Sequence, residues 1–67
     1  MTDSETATHI REYVAQGPSN MFSWATDGCG YDQHIRFVEH RNNHWGGGSP
    51  GEWKAFLLAY ADFLGRI

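Results

Sequence analysis

The chain has 67 residues, which is enough for one small domain spanning positions 1–67. Its net charge of −3 at pH 7 and its five Lys and Arg, which form no basic stripe, argue against direct nucleic-acid binding. The single cysteine, Cys29, excludes an internal disulfide and fits a reducing compartment. The sequence has neither a signal peptide nor an apolar run long enough to span a membrane, so we expect a cytoplasmic protein.

Aromatic residues make up 15% of the chain, with three Trp, three Tyr and four Phe. This many rings are difficult to bury in so small a core, so we expect one or two at the surface. Exposed aromatic side chains favour protein binding. The alternative is that the rings simply fill core volume.

The first predicted element is a helix from Ser4 to Gln16. Asp3 or Ser4 can serve as its N-cap, and Gly17 followed by Pro18 ends it. Apolar residues recur at three- and four-residue spacing, which predicts an amphipathic helix that packs on another element. These residues are Ala7, Ile10, Tyr13 and Val14.

A β-hairpin is predicted next. Met21–Thr26 and Gln33–Arg41 alternate as strands do, and Asp27–Gly30 between them contains the Asp-Gly pair that favours a hairpin turn. Ile35 and Phe37 share one face of the second strand. Because an isolated hairpin is marginally stable, we expect helices, a third short strand or a second chain to cover it.

The last predicted element is a helix from Ser49 to Leu64. Ser49 and Glu52 form a capping box, with Pro50 at the first helical position. Leu58 lies on the polar side of the helix and is expected to be exposed. The opposite side is a continuous apolar arc of Trp53, Phe56, Leu57, Tyr60, Phe63 and Leu64.

Gly46–Gly48 precede this helix and resemble an engineered linker when read with Ser49. Too little chain lies on either side for two domains, and the serine belongs to the helix as its cap. The glycines are therefore predicted to be a hinge. Trp45 beside them either folds back over the core as a lid, which we favour, or faces a partner as an anchor.

Together these elements predict a small α+β domain. An N-terminal helix and a C-terminal helix pack on an antiparallel β-hairpin, to which a third short strand can be added. The predicted core consists of Ile10, Tyr13, Val14, Phe22, Trp24, Ile35, Phe37, Trp53, Phe56, Leu57, Tyr60 and Leu64.

Four candidate zinc ligands are close in sequence: Cys29, His34, His40 and His44. Their number fits a tetrahedral site, but no short paired motif is present. His40 and His44 would be neighbours on one face only on a helix, whereas this segment is predicted to be a strand. On a strand, His34 and His40 would lie about 20 Å apart. A metal- or small-ligand-binding domain is therefore the alternative function, and surface histidines are the simpler interpretation.

Catalysis is not predicted. Cys29 is near Asp32 and His34 in sequence, but a Cys–His–Asp set requires convergence in space, and the chain is short for a substrate pocket. Asp27–Gly30 resembles a phosphate-binding loop only superficially, because no helix N-terminus or P-loop lysine is predicted to follow. Protonation of all four histidines would change the charge from −3 to +1, so association could depend on pH near about 6 to 7.

Ser49–Leu57 reads Ser-Pro-Gly-Glu-Trp-Lys-Ala-Phe-Leu. This segment resembles the S-P-x-E-W-x-A-F-L ending of a family of very small actinobacterial proteins related to the BldB developmental regulators. The sequence departs from the family pattern after Trp24 and Cys29 and in its additional N-terminal helix. The resemblance implies short strands before a closing helix, no catalytic residues, and a role as a protein partner of helix-turn-helix regulators.

We therefore predict a non-enzymatic, regulatory protein-interaction module without a cofactor. Its partner would be another protein, such as a transcriptional regulator or a host system targeted by a mobile element, and a homodimer is compatible with its size. The predicted contact residues are Trp45, Leu58, Arg36 and His40.

Overall fold

The structure is a computed structural model that describes residues 1–17 and 25–66. Within these ranges the chain forms three helices: α1 is Asp3–Ala15, α2 is Tyr31–His44 and α3 is Pro50–Gly65. The described residues contain no strand, so the predicted α+β fold is wrong and the domain is all-α. Most of the first predicted strand, including Phe22 and Trp24 of the predicted core, lies outside the described residues.

The second predicted strand, Gln33–Arg41, forms most of α2. Its alternation of apolar and polar residues is real, but the burial pattern repeats every three to four residues. Gln33 and Phe37 are buried, and His40 and Arg41 continue the same stripe as half-buried residues. No glycine or proline interrupts the segment. The helical period therefore prevails over the two-residue alternation.

Asp27–Gly30 is a turn, as predicted, but it leads into a helix instead of a hairpin strand. The Cys29 N–H donates to the carbonyl of Thr26 at 3.0 Å. Gly28 and Gly30 have φ angles of 87° and 97°, which glycine adopts without strain. The Asp-Gly pair thus supplies a left-handed turn before α2, with Gly30 as the N-cap.

Both α1 and α3 begin with a complete capping box. In α3 the Ser49 hydroxyl accepts from the Glu52 N–H at 3.2 Å and Pro50 occupies the first turn, as predicted. In α1 the cap is Thr2, whose hydroxyl accepts from the Glu5 N–H at 3.1 Å. The predicted caps of α1 therefore lie one and two residues too late, whereas Gly17 follows the end of α1 with a φ of 69°.

The core forms where α1 packs against α3 and where Phe37 enters from α2. The ring of Phe37 is fully buried and contacts Trp53 and Tyr60 edge-on, with centroids 6.1 and 5.3 Å apart. Six residues of the predicted core are buried: Ile10, Phe37, Trp53, Leu57, Tyr60 and Leu64.

Other predicted core residues are less buried. Tyr13, Val14 and Phe56 are half-buried and pack against the core, while Ile35 is half-buried outside the core cluster. Small side chains fill space that the prediction had not assigned, because a closely packed core leaves few voids. Among these buried small residues are Ala7, Ala25 and Ala61.

None of the helices in the described part of the chain combines the length and apolar character needed to cross a lipid bilayer.

Candidate functional site

A groove of about 280 Å³ lies between α2 and α3. We call it the His40 groove. Its walls combine aromatic rings with polar side chains, and both helices contribute. The lining residues are Arg36, Glu39, His40, Asn43 and His44 from α2, and Tyr60 and Phe63 from α3.

His40 lines this groove and packs against aromatic rings of α3. Its ring centroid lies 4.7 Å from that of Tyr60, 5.4 Å from Phe56 and 6.1 Å from Phe63. Burial, and secondarily the nearby His44, lower the pKa of His40 below its ordinary value of 6.5. The imidazole is therefore favoured in its neutral form, as suits a ring packed among aromatic side chains.

Phe63 forms the exposed rim of the groove. It belongs to the apolar arc predicted for α3, yet 52% of it is exposed, whereas Tyr60 one turn earlier is buried. The Phe63 ring stacks on both His40 and Tyr60, at interplanar angles of 23° and 27°. The sequence prediction missed this residue as a site, because the arc is wider than the part of α3 that α1 and α2 cover.

Arg36 lines the same groove, one helical turn before His40. Its guanidinium donates to Asp3 of α1, with Nη1 2.6 Å from Oδ1. The hydrogen bond to Asp3 raises the pKa of Arg36 and orients the guanidinium toward the start of α1. Two of the predicted contact residues, Arg36 and His40, are thus brought together by α2.

Trp45 caps the C-terminal end of α2 and packs inward. It is half-buried, and its ring lies 5.1 Å from Trp53 and 5.3 Å from Phe56. This is the position that the lid interpretation predicts. Leu58 is 41% exposed, as predicted for the polar side of α3, but it does not line the His40 groove.

The four predicted metal ligands do not converge. Cys29 is buried in the turn before α2, and the Nδ1 of His34 lies 3.0 Å from the Thr26 hydroxyl. His40 and His44 lie further along α2, with ring centroids 4.5 Å apart. In residues 1–17 and 25–66, no three His, Cys, Asp or Glu side chains are close enough together to hold a metal ion jointly.

Burial also bears on the chemistry of Cys29. It raises the pKa of the thiol above its ordinary value, so the neutral thiol is favoured. A buried thiol of this kind is a poor nucleophile, because the reactive form is the thiolate.

A second cavity, of about 460 Å³, lies where the Asp27–Gly30 turn meets the N-terminus of α2. It is lined by the turn and by Thr26, Tyr31 and His34. A helix N-terminus therefore does follow the glycine-rich turn, contrary to the sequence prediction. No lysine is among the described residues that line this cavity, so the P-loop comparison remains incomplete.

The described residues define a small helical domain with an aromatic and imidazole-lined surface groove. The chain matches no protein-family model, no curated protein and no solved structure. The resemblance of Ser49–Leu57 to the BldB-like family stays a prediction. Where it implies strands, residues 31–44 form a helix.

Proposed function

We propose that this protein is a non-enzymatic interaction module that binds another protein through the His40 groove. The observation that carries the proposal is the position of Phe63. Its ring is more than half exposed, yet it is held by stacking on His40 and Tyr60. An exposed ring that is already oriented loses little conformational freedom on binding, so more of its contact energy contributes to affinity.

The chemistry around Phe63 also supports a protein partner. Aromatic residues and arginine are enriched at the centres of protein interfaces. Arg36 is fixed by Asp3, and Asn43 adds an amide to the same groove. The partner segment would place an apolar side chain against Phe63 and a hydrogen-bond acceptor near Asn43.

The size of the chain sets the extent of such an interface. A standard interface covers roughly 800 Å² on each partner. The chain exposes 4211 Å² in total, so binding would cover about a fifth of its surface. The contact would therefore extend beyond the groove along α2 and α3.

The regulatory role rests on the sequence resemblance and on the absence of a predicted catalytic set. A transcriptional regulator, or a host system targeted by a mobile element, remains the proposed partner. We also propose a cytoplasmic location, because the chain has one cysteine and that thiol is free.

The test is affinity capture with three immobilised baits: the unaltered chain, Phe63→Ala and Leu58→Ala. Leu58 is the matched control, since it is a comparably exposed apolar residue of α3 outside the groove. We expect the unaltered chain and Leu58→Ala to retain the same protein and Phe63→Ala to lose it. Circular dichroism of all three baits establishes that the fold is unchanged.

Two results would overturn the proposal. One is full retention of the partner by Phe63→Ala, and the other is loss with Leu58→Ala alone, which would place the interface on another side of α3. Sedimentation of the purified chain separates a heterologous partner from a second copy. A dimer that Phe63→Ala converts to monomer would identify the partner as the chain itself.

A further inference from the structure

We propose that His40 and His44 form a two-histidine chelate for a divalent transition-metal ion such as Zn²⁺, Ni²⁺ or Cu²⁺. The site shares the His40 groove with the proposed protein-binding surface, but metal binding does not require a protein partner. It differs from the predicted four-ligand site, because Cys29 and His34 take no part in it.

The spacing of the two rings fits shared coordination. Residues four apart lie on one face of a helix, and the ring centroids of His40 and His44 are 4.5 Å apart. An ion at about 2.1 Å from one nitrogen of each imidazole would place the two centroids roughly 4.5–5 Å apart for ligand angles near 90–105°. The observed separation lies at the lower end of that range. The ring separation is therefore compatible with a bidentate chelate.

Both imidazoles are available to an ion. Neither one makes a hydrogen bond or a salt bridge with another described residue. His44 is exposed and His40 is half-buried, and both line the His40 groove. The ordinary competitor for a histidine lone pair, a protein donor, is thus absent among the described residues.

The local charges also permit a cation. Glu39 lines the same groove and supplies a negative charge, while the positive charge of Arg36 is offset by its salt bridge to Asp3. An imidazole coordinates a metal ion through an unprotonated ring nitrogen, so binding should weaken as the pH falls. Water would occupy the remaining coordination positions, because the described residues provide no third ligand at this place.

The ligand type determines which ions bind. Imidazole nitrogen suits Zn²⁺, Ni²⁺ and Cu²⁺, whereas Mg²⁺ and Ca²⁺ require oxygen ligands. The chelate should therefore distinguish NiCl₂ and ZnCl₂ from MgCl₂.

The test is calorimetric titration of the untagged full chain with NiCl₂, ZnCl₂ and MgCl₂. His44→Gln removes one ligand at an exposed position, and His9→Gln on α1 is the matched control. We expect one equivalent of Ni²⁺ or Zn²⁺ to bind, at least about tenfold weaker binding by His44→Gln, no change with His9→Gln, and no Mg²⁺ binding.

A second measurement tests the site in the unaltered chain, so the conclusion does not depend on whether the variants fold. In NMR spectra of the unaltered chain, Zn²⁺ should shift the ring resonances of His40 and His44 before those of His9 and His34. The proposal is overturned by no binding of either transition-metal ion, by unaltered affinity of folded His44→Gln, or by ring shifts that appear first at His34.

Discussion

Arg36 of α2 binds the carboxylate of Asp3 at the start of α1, with Nη1 2.6 Å from Oδ1 and Nη2 3.4 Å from Oδ2. Gln33 reinforces this contact, because its Nε2 donates to Asp3 Oδ1 at 2.9 Å and to the Met1 carbonyl at 3.1 Å. The start of α1 is therefore tied to the first two turns of α2 by charge-assisted hydrogen bonds.

Acid should weaken this connection. The hydrogen bond from Arg36, followed by that from Gln33, lowers the pKa of Asp3 below its ordinary value of 3.8. A carboxyl group with a depressed folded-state pKa contributes stability that is complete above its unfolded pKa, near about 4, and is lost as the pH falls through the folded value.

Urea denaturation of the unaltered chain and of Asp3→Asn between pH 7 and pH 2.5 would measure this effect. We expect Asp3→Asn to be the less stable protein at pH 7 and the difference to shrink below about pH 4. A stability difference that stays constant over the whole range would contradict the proposed role of the Asp3 charge.

Burial of Phe37 should be required for α2 to pack against the core. It is the only large apolar residue of α2 that is fully buried among the described residues. Phe37→Ala should lower the free energy of unfolding by about 3–5 kcal/mol, which is comparable to the whole stability of a domain of this size. The measurement is urea denaturation followed by circular dichroism, in which the variant should show reduced helical signal even without denaturant.

Tyr31 provides the control for Phe37, since it lies on the same helix and is 78% exposed. Tyr31→Ala should change the unfolding free energy by no more than about 0.5 kcal/mol. Equal stability of the two variants would show that Phe37 does not anchor α2.

The two capping boxes should contribute separately to stability. Thr2→Ala and Ser49→Ala each remove a hydroxyl that accepts from a backbone N–H in the first turn of a helix. Each change should cost about 1 kcal/mol, and because the caps belong to different helices the double variant should cost about the sum. Ser4→Ala, at an exposed position in the first turn of α1, serves as the control. A cost for Ser4→Ala as large as that for the caps would argue against this account.

Gly46 and Gly47 should respond differently to substitution by alanine. Gly47 has a φ of 99°, which an L-residue adopts with strain, so Gly47→Ala should destabilise by about 1–2 kcal/mol. Gly46 has no positive φ, and an added methyl group would meet no atom within 4 Å. Gly46→Ala should therefore be neutral or stabilising by up to about 1 kcal/mol. Thermal melting of both variants decides this, and equal melting temperatures would count against a specific turn at Gly47.

Helix caps and apolar spacing predicted α3 and most of α1, because both are patterns of residues only a few positions apart in the sequence. The Ser49–Glu52 box, the end of α1 near Gly17 and the exposed Leu58 were all predicted correctly. The error in α2 has a physical cause. A short segment with Ile35 and Phe37 on alternate positions satisfies the strand pattern, and only tertiary packing reveals that the helical stripe from Gln33 to Arg41 is the buried one.

This single error also determined the interpretation of the site. The pairing of His40 with His44 was set aside because it requires a helix and this segment was predicted to be a strand, whereas α2 places the two rings 4.5 Å apart. The exposure of Phe63 could not be predicted from the apolar arc of α3, since it depends on where α1 and α2 leave that arc uncovered. An i, i+4 pair of histidines is the signal that would have indicated the groove, once helix was considered for this segment.

Because Phe37 holds α2 on the core, two equilibria are linked: the docking of α2 and the binding of a ligand in the His40 groove. The extensive helix contact is between α1 and α3, and α2 carries five of the residues that line the His40 groove. If α2 leaves the core, the groove no longer exists, so a ligand that occupies it binds only the docked form. By mass action, such a ligand at 100 times its Kd would stabilise the docked form by about 2.7 kcal/mol. Ligand binding in the groove would therefore raise the stability of the folded domain.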